Sequence, residues 1–477
     1  MTLTPEHAPA AAPAGAASTA GAGAASVARP GEAAYARATG TFNLFAPVAP
    51  AAAVTVRTVA EIRAALAAAR AEGLGVRVHT TGHASATARP MDRDLLLHLE
   101  PAGPVDIDPA RRTARVPAGT RWGAVVEAAA PYGLAAAHGS SGTVGAVGYL
   151  LNGGLSMYAR HTGLAVNTVR AVELVTGDGE HRRVDADTDP ELFWAVRGGG
   201  GGLGVVTAVE IDLFPAAAVV TGAAFWSAEH AARLLPRWRA WADTAPGEAT
   251  TSVRIMNLPQ LDEIPAVLTA GPVLCLDGLF LAPTADDLDT ARARAAELLD
   301  ELRASAEPVM DTWHEAGPAA VTETHMDPPD PVPVLGDHLL LGDLGDEGVE
   351  AFLRVTVDRP RSALTVAELR QLGGALAERP GHAGALGHLA ARYAYSGAGV
   401  PGGGATEEEI RAHCAEVRRA LSPWDTGRTT PTFVASLEQP QSHLDPDQVT
   451  RLDRVRARVD PAALFRGDIA PGCSAPH

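Results

Sequence analysis

The densest glycine run of the chain, RGGGGGLGVVT at residues 197 to 207, contains a literal G-x-G-x-x-G at Gly199, Gly201 and Gly204. A dinucleotide fingerprint of that form works only when the loop opens a helix whose N-terminus faces the pyrophosphate. Here the chain continues VVTAVEIDLF, β-branched and alternating, which spells a strand. No Gly-Lys-Ser/Thr closes the run, so a phosphate loop is excluded as well. What remains is a set of glycine-rich loops joining strands, at 80–83, 139–154 and 198–204. Glycine lets a backbone approach a flat or phosphorylated ligand closely and aim its N–H groups inward. Three such loops point to a buried, extended ligand.

Charge narrows the partners. A formal net charge of -17 argues against nucleic acid or an anionic membrane, yet backbone N–H groups can still bind a phosphorylated cofactor. Cys275, Cys414 and Cys473 are far apart and odd in number, which excludes a disulfide framework and a cysteine zinc site. No stretch approaches the roughly 20 apolar residues of a membrane span. Residues 1–30 are Ala, Pro, Gly and Ser without a basic n-region and read as a disordered leader, not a secretory signal. The expectation is a soluble, cytoplasmic protein of two or three domains.

Ordered texture begins near Arg57. Thr58 and Glu61 form a capping box, and Ile62, Ala65, Leu66 and Ala69 share a helical face that ends at Gly73. GVRVHTTG then reads as a strand entering a loop, with Val76 and Val78 alternating with polar residues. VDIDPARRTARVPAGT and RAVELVTGDGEHRRVD read as hairpins, and RWGAVVEAAAPYG as a short helix. After residue 215 long helices alternate with apolar strands: one helix lies near 286 to 304, and another starts at Thr406 with a capping box to Glu409. A final helix is expected within 449 to 465.

His79 and His83 have the i, i+4 spacing of two zinc ligands on a helix. Thr80, Thr81 and Gly82 between them are poor helix formers, no Glu follows His79, and the region offers no third ligand, so no metal is expected.

Four motifs in order carry a family resemblance: VRVHTTGHAS, GSSGTVGAVGYLLNGGLS, ELFWAVRGGGGGLGVVTAVEIDLFP and RVRARVDPAALFR. Together they resemble the berberine-bridge-type FAD oxidoreductases of the vanillyl-alcohol-oxidase superfamily, from about Tyr35 to Phe465. The resemblance implies an α+β fold with FAD as cofactor. A two-subdomain PCMH-type FAD-binding domain (31–215) would be followed by a substrate domain of antiparallel sheet backed by helices (216–425). Residues 426–477 would return to the FAD domain.

It also implies that His83 is the covalent anchor, joined through its imidazole to the 8α-methyl of the flavin. The cofactor-binding set carried over with it is His79, Thr80, Thr81, Gly82, Ala84 and Ser85 from the first loop. The second loop supplies Gly139, Ser141, Gly142, Val144, Gly145, Gly148, Tyr149, Gly153 and Gly154, and the third Gly204, Val205 and Val206. Ser141 stands where bicovalent members carry cysteine, so the attachment would be monocovalent. Gly142 replaces the usual proline, Asn152 the first of three glycines, and Gly202-Leu203 an Asn-Phe pair.

The activity implied is an oxidase moving hydride from a C–O or C–N centre of a small organic, secondary metabolite to flavin N5. Val144 aligns with an oxygen-gate position where a small residue admits dioxygen, which favours reoxidation to hydrogen peroxide. TFVASLE puts Phe433 and Ala435 where relatives have Tyr-x-Asn, so the usual base cannot be carried over. Tyr393 and Tyr395, sharing one face of a strand by period-two alternation, are the candidate catalytic residues, with Tyr149 a third. His314, His325 and Asp327 read as structural residues of the substrate domain. Two other classes stand beside this reading. A non-catalytic flavin-fold carrier is suggested by the lost tyrosine and altered glycines, while a nicotinamide dehydrogenase lacks its strand–glycine–helix fingerprint.

Overall fold

The computed structural model describes residues 26–359, 361–402 and 404–469. Residues 1–25 of the expected leader, and Cys473, lie outside them. Residues 26–30 belong to the fold: Ala28 is buried and pairs with Ala53.

The first unit is a parallel sheet ordered Ala52–Val56, Asp94–Leu99, Gly75–His79. The helix Val59–Glu72 packs on it through Ile62, Ala65, Leu66 and Ala69, capped by Thr58 and Glu61 and ended by left-handed Gly73. The strand Gly75–His79 is buried in a different phase from the sequence reading. Val76 is inside, whereas Val78 is 37% exposed because the strand is leaving the core there. Arg77 is buried in ion pairs with Asp94, at 2.6 Å, and Asp468. The C-terminal tail adds to this edge, with Val76 N–H donating to the Leu464 carbonyl at 2.7 Å.

The second unit is a five-stranded antiparallel sheet ordered 106–108, 113–117, 205–212, 169–175, 181–185. The residues after the glycine run do form a strand, Val205–Asp212, at the centre of this sheet. A Cβ on Gly204 (φ 147°) would lie 2.7 Å from the Val175 carbonyl oxygen, so glycine is required for this close approach.

The third unit is an antiparallel sheet whose main strands run Ala218–Ser227, Val273–Ala282, Ala249–Met256, Val366–Gln371, Tyr393–Gly399 and Leu335–Leu341. Helices Ala231–Ala242, Leu288–Ser305, Gly345–Thr356 and Glu407–Leu421 cover one face. Strand alternation puts Val253, Ile255, Leu369, Tyr393 and Tyr395 on that face, in the apolar core. The opposite face turns toward the glycine-rich loops of the first two units. Arg160 joins the units from inside, donating to the carbonyls of Ala249 and Ala245 at 2.8 Å and to that of Leu372. Among the described residues no helix is long and apolar enough to cross a membrane.

Candidate active site

The loop 80–84 leaves the strand Gly75–His79 and meets the loop 139–145. Gly82 (φ 69°) makes the turn against Thr41, where a Cβ would lie 2.6 Å from the Thr41 Cα. The His83 ring then stacks on Phe42 with centroids 3.8 Å apart, and its Nε2 lies 3.0 Å from the Thr143 hydroxyl. That hydroxyl is 2.8 Å from Ser141. Burial is the main cause that lowers the His83 pKa to about 4, so the imidazole is neutral.

His79 goes elsewhere. It closes its strand, its ring N–H donates to the Ala38 carbonyl at 2.7 Å, and its edge meets His98. It is therefore not the imidazole beside Thr80 and Thr81; that is His98. Among the described residues no group of three or more His, Cys, Asp or Glu is arranged to hold a metal.

A cavity of about 460 Å³ opens between the first two units, lined by Thr80, Thr81, His98, Glu100, Thr120 and Arg121 among others. Its chemistry suits a dinucleotide. Among the described residues the Thr120 hydroxyl is buried without a partner and Arg121 is in no ion pair. Gly145, whose N–H reaches the Thr81 hydroxyl at 3.3 Å, leaves room that a Cβ would fill, 2.3 Å from Thr80. The open Gly148 follows on the next helix turn. Gly142 packs backbone to backbone on Gly123, and the Val144 carbonyl accepts from Trp122 N–H at 2.9 Å. Val205 and Val206 pair with Val175 and Leu174, and the next carbonyl, of Thr207, takes Ala118 N–H at 2.8 Å. These residues thus carry the loop 119–121 on their strand. Ala84 and Ser85 turn back toward Asn43, whose carbonyl the Ser85 hydroxyl approaches at 3.5 Å.

Tyr149 lies deeper, beside Gly139 and Gly154 and edge-on to Trp122 at 5.6 Å. Its hydroxyl is buried without a hydrogen-bond partner; burial raises its pKa, opposed by nearby Arg370. Gly153 and Gly154 have φ of 99° and 70°, and Gly154 N–H donates to the Thr432 hydroxyl at 3.0 Å. That contact brings the segment 430–433 to the site.

The uncovered face of the third sheet supplies what the sequence did not announce. Arg254 pairs with Asp277 at 2.5 Å and Arg370 with Glu368 at 2.7 Å. His325 lies 2.9 Å from Asp277 and 3.6 Å from Glu368. All five are buried. Asp327, two residues on, crosses to the glycine-rich loop and accepts a 2.5 Å hydrogen bond from Ser140. Met326 between them adopts φ 53°, a strained conformation that sends its neighbours in different directions. His325 and Asp327 are therefore site residues, whereas His314 sits exposed at the sheet edge.

Phe433 does reach the site, stacked on His338 at 5.3 Å with the Arg370 guanidinium 5.6 Å from its ring. Tyr393 and Tyr395 do not. Tyr393 packs on Trp238 and Tyr395 on Phe352, in the helix-covered core. Alternation gives them a common face, but it is the wrong one. Burial pushes Tyr393 up to about 12 and raises Tyr395 well above its usual value, so both stay protonated and cannot act as the base.

Residues 50–185 match the FAD binding domain family. The site thus belongs to an FAD-binding domain of this kind. (R)-6-hydroxynicotine oxidase of Paenarthrobacter nicotinovorans is 39% identical over 142 residues, 30% of this chain and 31% of that protein. Xylooligosaccharide oxidase of Thermothelomyces thermophilus is 31% identical over 183 residues, 38% and 37% of the two chains. These alignments span about a third of the curated relatives' lengths. Solved structures match the whole fold. Physcomitrella patens BBE-like 1 has a TM-score of 0.77 at 20% identity, covering 95% of this chain and 97% of its own. The 6-hydroxy-D-nicotine oxidase of Arthrobacter nicotinovorans has a TM-score of 0.77 at 22% identity, covering 94% and 98%. The chain thus carries an FAD-binding domain, its cofactor is FAD, and its fold is that of the berberine-bridge-like and hydroxynicotine oxidase structures.

Proposed function

We propose that this protein is an FAD-dependent oxidase with one covalent flavin bond, through His83. It acts on a C–O or C–N centre of a small organic metabolite and returns the electrons to dioxygen as hydrogen peroxide. FAD, when bound, supplies the two-electron acceptor for the hydride. The observation that carries the reading is the convergence of the His83 loop and the Ser140–Thr143 loop with a buried charged wall of the sheet domain.

The cavity residues Thr80, Thr81, Thr120 and Arg121 would hold the diphosphate half. Neutral His83, steadied by Phe42 and Thr143, keeps a ring lone pair available for attachment. Ser141 cannot supply the second link that a thiolate would. The substrate proton needs an acceptor on the wall. Glu368 is held ionised but is a weak base for it: burial pushes its pKa up, and Arg370, His325 and Arg254 hold it well below the usual carboxylate range. It is ionised at neutral pH and held in place by Arg370.

The test is in-gel flavin fluorescence of denatured wild type against His83→Ala, followed by anaerobic substrate screening with readmission of air. A fluorescent wild-type band lost in the variant, with bleaching that recovers in air and releases peroxide, is the expected result. A yellow native protein whose denatured band is dark refutes the covalent link, and flavin that no substrate reduces refutes the oxidase and leaves a carrier.

A further inference from the structure

The charged wall is balanced in sign. Its three cations, Arg254, Arg370 and His325, face three carboxylates, Asp277, Glu368 and Asp327. Arg254, Arg370 and His325 each lie within ion-pair distance of Asp277 or Glu368. Asp327 acts electrostatically on all three cations while bonding Ser140. The register makes this wall one surface: Arg254 stands opposite Glu368, Glu368 opposite Ser396, and Ser396 opposite His338.

Within the wall, Arg254 Nε, Asp277 Oδ2 and His325 Nδ1 also lack a well-formed hydrogen bond, while the polar groups left over around it are neutral. The Tyr149 and Thr430 hydroxyls are buried without partners. His338 makes no hydrogen bond of good geometry through either ring nitrogen, the Tyr395 carbonyl being its polar neighbour. Burial lowers the pKa of His338 to about 3 and that of His83 to about 4, so neither adds a charge at neutral pH. Phe433 adds an apolar ring where a polar one would have been available.

A charged substrate group entering this space would be desolvated without a free counter-charge, which is costly in a buried site. We propose that the enzyme takes substrates uncharged at the end that meets the sheet. An alcohol, or an amine in its neutral form, is accepted there, and carboxylates and ammonium groups are rejected. The proposal rests on the oxidase reading above and specifies its substrate class.

The test uses the flavin-loaded protein and three ligands of one shape, benzyl alcohol, benzoate and benzylammonium, titrated at pH 7 against the flavin absorbance. Benzyl alcohol is expected to bind at least tenfold more tightly than either ion. Glu368→Gln leaves the wall one positive charge in excess and should shift the alcohol-to-benzoate ratio at least tenfold toward benzoate. Asp327→Asn, at a partly exposed position, removes one negative charge with less risk to folding and should shift it in the same direction. Benzoate or benzylammonium binding as well as the alcohol, absence of any discrimination among the three, or variants that leave the ratio unchanged would each overturn the proposal. Protein that binds FAD and oxidises substrates yet prefers ions refutes only this inference; protein that takes up no FAD refutes the oxidase reading with it.

Discussion

Replacing Asp277 with asparagine removes one charge and almost no volume, so it separates the electrostatics of the buried wall from its packing. Asp277 pairs with Arg254 at 2.5 Å and His325 at 2.9 Å and accepts from Ser252. Removing one partner of a buried ion pair costs about 3–5 kcal/mol. His325 gives a second measure. Burial and Arg254 disfavour its charged form, yet Asp277, Glu368 and Asp327 raise its pKa from 6.5 to about 9. At about 1.4 kcal/mol per unit, the net stabilisation of the imidazolium, after burial and Arg254 have opposed it, is about 3 kcal/mol, the same order.

A raised folded-state pKa means this stabilisation is complete below 6.5 and is lost as pH rises through about 9. With an unfolding entropy of about 2 cal/mol/K per residue, the Asp277→Asn variant should melt about 3–5 °C below wild type at pH 7. Its Tm should also fall less between pH 7 and 10, because His325 has lost its first partner. Thermal melts by circular dichroism across that range read both effects. A variant melting within about 1 °C of wild type at pH 7, and parallel to it up to pH 10, would show that the pair contributes nothing.

Three further outcomes follow from single contacts. Tyr393→Phe and Tyr395→Phe should leave kcat within about twofold of wild type, and Tyr395→Phe should not lower Tm, because its buried hydroxyl has no partner; a hundredfold loss of kcat in either would restore a catalytic role. Gly82→Ala combines a left-handed φ with a 2.6 Å approach to Thr41 and should cost about 1–3 kcal/mol while impairing retention of FAD, read by absorbance after desalting. Flavin-free protein should lose stability as pH falls from 6.5 toward 4, because burial lowers the pKa values of His79, His83, His138 and His443 to about 4 and unfolding lets them protonate; a flat urea midpoint across that range would contradict this.

Local chemistry made much of the scaffold legible. The capping boxes at Thr58–Glu61 and Thr406–Glu409 mark real helix starts, because each needs only four consecutive residues. The strand after the glycine run was equally readable, since β-branched alternation and the missing helix are local facts. The glycine loops could be named because backbone approach requires glycine at fixed positions along one segment, whereas His83 is singled out only by the family resemblance. The sequence could also pair Tyr393 with Tyr395, since successive side chains on a strand point to opposite faces.

It could not say which face helices would cover. VRIM, LCLD and ELRQ lie within the apolar strands that follow residue 215, and each sets charge among apolar residues. In the folded chain Arg254, Asp277, Glu368 and Arg370 come from three such strands, and register alone makes them neighbours. Alternation records that a strand has two unlike faces, but it carries no information about what lies against the polar one. That was decided by the packing of the sheet against the FAD-binding units, which turned the charged face into a buried, charge-balanced wall.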